Sequence, residues 1–162
     1  MGVYLNPENV DFQEVLNSKI YVDKSELIQH TNSVLRTIQK YICVSRPRRF
    51  GKSMAANMLT AYYSRGCDSR ELFQGLKIAT HPDFEKHLNQ YNVIHLNMRD
   101  YLTESENMKQ LIQFVEDDLL DELQQEFSDL RMPRRKTLVK VLEQAFAQYK
   151  IPFVFIIDEW DC

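Results

Sequence analysis

Two short apolar runs, each closed by chemistry-bearing residues, frame the chain. The first is Tyr41–Ser45, YICVS, followed by a basic turn and then Gly-Lys-Ser. The second is Phe153–Ile157, FVFII, bounded by Pro152 and followed by Asp158 and Glu159. Runs of this length, rich in Val, Ile and Phe, suit buried parallel strands better than helices. A third run, Val93–Met98, has the same character. Between them the period changes to that of helices. Met54, Ala55, Met58, Leu59 and Tyr62 predict a helix after the Gly-Lys-Ser turn, with Gly66 placed to end it. Met108, Leu111, Ile112, Val115, Leu119, Leu123 and Phe127 mark a long amphipathic helix, predicted to run from a Thr103/Glu106 capping box to about Leu130. Pro133 breaks that pattern, and Leu138, Val141, Leu142, Ala145 and Tyr149 predict one more helix before the last strand.

The first forty residues say less. Asp11–Ser18 reads as a short helix. Ile20–Val22 reads as an extended piece turning into a helix that reaches about Arg36, with Asp23 as N-cap and Glu26 completing a capping box. This segment reads first as packing surface and second as a ligand contact. Residues 67–90 read as loop, turn and short helix. No repeat, low-complexity tract or linker interrupts the chain, so one domain over 1–162 is expected, with a pre-loop segment 1–40 and a stretch 41–162 from loop to acidic strand.

Composition narrows the field only slightly. The 162 residues are 44% hydrophobic and 27% charged, which is ordinary for a folded domain and excludes a disordered chain. A net charge of −3 offers no global attraction to nucleic acid or to an anionic membrane. Three cysteines, Cys43, Cys67 and Cys162, form no C-x-x-C pair, which suits reduced thiols in a cytoplasmic protein, with Cys43 in the core. No basic-then-apolar leader and no run of membrane-spanning length is readable. His81 and His87 fit no zinc spacing and read as surface residues. The acids Glu116, Asp117, Asp118, Asp121, Glu122 and Glu126 read as the solvated face of the long helix. Arg131, Arg134, Arg135 and Lys136 read as a solvated turn.

The chemistry gathers at the two framing runs. A strand feeding a Gly-Lys-Ser turn and a helix forms an anion site, because backbone N–H groups and the positive end of the helix converge there. In G-x-x-x-x-G-K-[ST] the second Gly admits the phosphates, the Lys reaches the β- and γ-phosphates, and the hydroxyl sits on Mg²⁺. Gly51, Lys52 and Ser53 take those positions, while Arg46 stands where the first Gly is wanted. With only four glycines in the chain, one at this position is informative. Arg46, Arg48 and Arg49 favour contact with phosphate or an acidic partner. The candidate nucleotide-binding set is Arg48, Arg49, Phe50, Gly51, Lys52, Ser53 and Met54. Two carboxylates at the tip of an apolar strand are costly unless they have work to do. In a nucleotide-hydrolysing site Asp158, with Ser53, would hold Mg²⁺, and Glu159 would act as general base.

Through YVDKSELI, SRPRRFGKSM, NML with YY, ELFQGLKI and FIIDEWDC, nearly the whole chain resembles the N-terminal ATPase part of the predicted AAA-ATPase-like family. These are bacterial P-loop ATPases that usually carry a C-terminal PD-(D/E)XK nuclease-like domain. SRPRRFGKS, with Arg46 in place of the first Gly, is that family's own form of the loop. The resemblance implies an α/β fold of the P-loop NTPase kind, three layers around a parallel sheet, with ATP and Mg²⁺ as ligands. It implies contacts to phosphate and Mg²⁺ from Gly51, Lys52 and Ser53, the Mg²⁺-side acid at Asp158 and the water-activating base at Glu159, with Lys52 also counted as catalytic. It further implies that strand 93–98 lies beside the acidic strand and that another strand separates the acidic strand from the loop strand. That separating strand would follow Cys162, so a C-terminally truncated domain is expected, one in which binding is easier to support than turnover. The expected activity is Mg-dependent ATP hydrolysis coupled to conformational change in an attached domain or partner. The alternative is a nucleotide-dependent interaction module or a non-hydrolysing fragment. No nuclease site is evident, so nucleic acid is not an expected partner of this chain alone.

Overall fold

The computed structural model describes residues 2–45, 47 and 49–160. Its sheet consists of two parallel strands, β1 (Asn92–Asn97) and β2 (Phe153–Asp158), in register from Asn92 opposite Phe153 to Asn97 opposite Asp158. Both fall where continuous apolar runs predict them, and they lie side by side as the family resemblance implies. Alternation along the strands then divides the core. Val93, Val154 and Ile156 face one hydrophobic cluster, and Ile94, Leu96 and Phe153 face the other.

The first cluster is aromatic. The helices α1 (Val10–Leu16), α2 (Glu26–Val34) and α3 (Lys52–Tyr63) bring Phe12, Ile28, Met58, Tyr62 and Tyr63 together. α4 (Arg70–Phe73) and α5 (Phe84–His87), separated by a single 3-10 turn at Lys77–Thr80, add Phe73, Ile78 and Phe84. Two buried hydroxyls tie α2 to α3. Tyr63 donates to Asn32 Oδ1 at 2.7 Å and lies 2.6 Å from Thr31 Oγ1, while Tyr62 donates to the Phe84 carbonyl at 2.7 Å and accepts from Asn32 Nδ2. Burial pushes the Tyr62 hydroxyl up to about 12 and raises that of Tyr63 further, so both remain protonated donors.

The second cluster lies under α6 (Met98–Glu104), α7 (Met108–Glu126) and α8 (Leu138–Tyr149), through Leu111, Leu119, Leu123, Val141 and Ala145. The N-terminal residues complete it. Leu5 bridges Ile94 in antiparallel fashion, so residues 4–6 occupy the edge of β1 that β2 leaves open. Glu122 of α7 receives the backbone N–H groups of Val3, Tyr4 and Leu5. Asp118 accepts from the Tyr101 hydroxyl at 2.9 Å, and Glu126 pairs with Arg65 at 2.9 Å. The acids of α7 are therefore not simply a solvated face; three of them hold the N-terminal segment and α6 in place.

Several local expectations are corrected. Residues 41–45 form no strand: Tyr41, Ile42 and Val44 are exposed, and so is Cys43. An extended segment becomes a strand only when a neighbour supplies the ladder, and among the described residues none does. The outer side of β2 is open to match, with Phe155 and Ile157 each 49% exposed. The long helix is two helices. Thr103 lies inside α6 with its hydroxyl donating to the Arg99 carbonyl, and Asn107 caps α7 by accepting from the Gln110 N–H at 3.0 Å. Asp23 does not close a capping box with Glu26. One of its oxygens accepts from the Ser25 N–H and the other from the Lys77 N–H, so helix α2 starts later, after Ser25. Gly66 does not end α3, which stops at Tyr63. Glycine is required there for space, since a Cβ would lie 2.2 Å from the Asn6 carbonyl oxygen.

Tyr63→Phe would remove the donor to Asn32 Oδ1 in the core, while Thr31 keeps its bond to the Ile28 carbonyl and Asn32 Nδ2 its bond to Tyr62. It is expected to lower unfolding free energy by about 1–2 kcal/mol, measured by urea denaturation, with the secondary structure unchanged.

Candidate functional site

Gly51 caps α3 with φ +77°, a left-handed conformation that suits glycine, and Lys52 and Ser53 open the helix. The direction of α3 decides what they meet. Its C-terminal end is tied to the segment leading into β1: Tyr91 N–H donates to the Tyr63 carbonyl, and Ser64 bridges Tyr91. Helix α3 also packs against both strands. It therefore runs back along them, with its N-terminus at their C-terminal ends. Twelve helical residues rise about 18 Å and six strand residues span roughly 20 Å, so the lengths match. Gly51, Lys52 and Ser53 thus share one end of the sheet with Asp158 and Glu159, the crevice where open α/β sheets take their ligands.

Each carboxylate at that end is held. The Glu159 N–H donates to Asp158 Oδ1 at 2.9 Å, and Glu159 sits at φ +53°, a left-handed turn immediately past the strand. Arg99 Nη2, from the start of α6, donates to Glu159 Oε2 at 3.0 Å. His95 stands one strand over, on the same face as Asp158. Burial pushes its imidazole below the ordinary value of 6.5, against the opposing pull of Asp158 and Asp11.

A cleft of about 330 Å³ opens on the other side of the loop, between the pre-loop segment and α3. Ile20, Tyr21 and Val22 form one wall, and Phe50, Met54 and Met58 the other, with Lys24, Arg49 and Gly51 at its rim. Met54 therefore faces the cleft rather than the core, at 36% exposure. Phe50 is exposed. The Tyr21 hydroxyl is buried beside the Lys24 amide and makes no hydrogen bond of ordinary geometry among the described residues. Lys52, Ser53, Asp158 and Glu159 do not line this cleft. The site thus has an apolar compartment and, past Gly51, a polar one. Arg46 and Arg48 lie outside the described residues.

Ser53 and Asp158 are a hydroxyl and a carboxylate, hard oxygen donors of the kind Mg²⁺ takes together with substrate phosphates. Among the described residues no group of three or more His, Cys, Asp or Glu could hold a metal by itself. No helix among them is long and apolar enough to cross a membrane.

Two residues at the site receive no role from the sequence, although Lys24 lies within the YVDKSELI stretch. Lys24 follows an Asp that looks like a helix cap, and Arg99 lies past a strand end; nothing in their spacing ties either to the loop or to the acids.

A mixed α/β chain with a small parallel sheet, a Gly-Lys-Ser helix start and two acids at one end of it defines the class. The family comparison is specific: a family model described as Predicted AAA-ATPase matches residues 10–162, and the chain belongs to that family. No curated protein and no solved structure matches it.

His95, and His87, whose imidazole is also lowered, first by burial and then by Lys86 and Arg36, bind fewer protons folded than unfolded. Their contribution to stability is therefore complete above about 6.5 and is lost as pH falls through that value. Urea midpoints measured from about pH 7.5 down to about pH 5.5 are expected to decline, and His95→Gln to flatten part of that decline.

Proposed function

We propose that this chain binds ATP with Mg²⁺ and hydrolyses it at a P-loop site, within a three-layer α/β arrangement of the P-loop NTPase kind. The observation that carries the reading is the common end shared by the N-terminus of α3 and the acidic tip of β2. Family membership over residues 10–162 supports nucleotide binding as the general activity.

In this reading the apolar cleft beside Met54 and Tyr21 takes the nucleoside, and the phosphates run past Gly51 over the first turn of α3. The backbone N–H groups of that turn and the Lys52 ammonium bind the β- and γ-phosphates. Arg49, Phe50 and Met54 flank the path, and Arg48 belongs to the same proposed set. Ser53 and Asp158 are the residues that would hold Mg²⁺, which when bound supplies charge neutralisation to the phosphate oxygens. Glu159 orients the attacking water and accepts its proton. To do so its carboxylate has to leave Arg99, which makes the ion pair a restraint on turnover. The same pair favours a second reading, in which the chain binds nucleotide and signals to an attached domain or partner protein without hydrolysis.

The test uses Trp160, the single tryptophan, next to Glu159, as a fluorescence reporter. Mg-ATP is expected to change its emission in the native chain and in Glu159→Gln, while Lys52→Ala weakens binding by about tenfold or more. Phosphate release is expected to drop about a hundredfold in Glu159→Gln. Binding without release in either form supports the second reading, and absence of binding in the folded native chain contradicts both.

A further inference from the structure

Lys24 sits at the junction of the two compartments. Its backbone is fixed on both sides: the Leu27 N–H donates to its carbonyl at 2.9 Å, and Asp23 beside it is anchored to the amides of Ser25 and Lys77. Burial pushes the Asp23 carboxyl up, but those N–H bonds outweigh it and hold it below the ordinary carboxylate value. Asp23 is thereby committed to the backbone. The Lys24 side chain crosses from the pre-loop segment to the loop, where its ammonium donates to the Phe50 carbonyl. It reaches the cap of α3 closely enough that a Cβ at Gly51 would lie 2.9 Å from Nζ.

An ammonium has three donors, and among the described residues only the Phe50 carbonyl receives one from Lys24. No carboxylate pairs with it there. A full positive charge is thus held against the positive end of a twelve-residue helix, an arrangement that repels until an anion arrives. Lys24 is exposed, so its remaining donors face solvent beside the loop, where an anion arriving over the first turn of α3 can take them.

We propose that Lys24 is a second phosphate-binding lysine of this site, supplied by the pre-loop segment. It contacts the phosphate nearest the nucleoside, where the apolar cleft gives way to the loop, while Lys52 takes the distal phosphates. The inference rests on the ATP reading above. It also gives the pre-loop segment a purpose beyond packing, since α2 and the Lys77 turn hold Lys24 where the triphosphate enters.

The native chain, Lys24→Met, Lys24→Arg and Lys52→Ala are titrated with Mg-ATP, inorganic tripolyphosphate and adenosine. Lys24→Met is expected to weaken Mg-ATP and tripolyphosphate by about tenfold each and leave adenosine unchanged, with Lys24→Arg recovering most of the loss. Unchanged Mg-ATP binding in Lys24→Met, or an equal loss for adenosine and Mg-ATP, overturns the proposal and leaves Lys24 a strut for the Phe50 carbonyl. If Lys52→Ala loses Mg-ATP while Lys24→Met does not, only Lys24 has failed. If the native chain binds none of the three ligands, the ATP reading itself has failed and this proposal with it. A measurement without variants covers a Lys24→Met that does not fold. Acetylation of the native chain, read by mass spectrometry, should be blocked at both Lys24 and Lys52 by Mg-ATP and by tripolyphosphate; blocking at Lys52 alone overturns the proposal.

Discussion

The candidate site depends on α3 running back along two parallel strands of nearly its own length. That antiparallel course is enforced from the far end, where Tyr63 and Ser64 are tied to Tyr91 just before β1. It is enforced from beneath as well, because Met58, Tyr62 and Tyr63 are buried against Val93 and the aromatic cluster. Buried hydroxyls that must find partners fix the helix more tightly than apolar contact alone, since each leaves an unsatisfied group if the helix shifts. Once α3 is set, its capping glycine and the acids of β2 lie at the same end of the sheet by length alone.

The same constraint explains how the two faces of the sheet divide their roles. One face carries the aromatic cluster and α3, and therefore the loop. The other carries α6, α7 and α8, whose acids are spent on the N-terminal segment and on Tyr101. Arg99 links the two faces at the functional end, since it begins α6 and reaches Glu159 across the strand tips. Its charge satisfies the carboxylate proposed as general base, so release of that pair becomes part of any catalytic cycle at this site.

Much of this was legible from residue order. FVFII and VIHLNM are short, largely apolar runs rich in Val, Ile and Phe, and both are strands, although Phe155 and Ile157 stay half-exposed on β2; the amphipathic pattern of α8 is equally clear. What escaped is non-local. YICVS has the composition of a strand, but a strand exists only with a ladder partner, and that is a property of the neighbour. Asp23 and Glu26 have capping-box spacing, yet the Asp23 carboxylate goes to an amide 54 residues away. Thr103 was outcompeted by Asn107, a stronger N-cap placed directly before the apolar stripe. Of the candidate site, Gly51, Lys52, Ser53, Asp158 and Glu159 follow from motif and chain position, while Lys24 and Arg99 come from tertiary placement alone.

The central claim is that the loop and the acidic strand form a single nucleotide site. Replacing Mg²⁺ with paramagnetic Mn²⁺ in the presence of ATP, and following the backbone amide signals by NMR, tests it most directly. The account predicts that signals from residues 51–54 and 157–160 broaden together, while those of the α4 and α5 region do not. Broadening confined to the acidic face of α7, or to the loop without the strand tip, would contradict it.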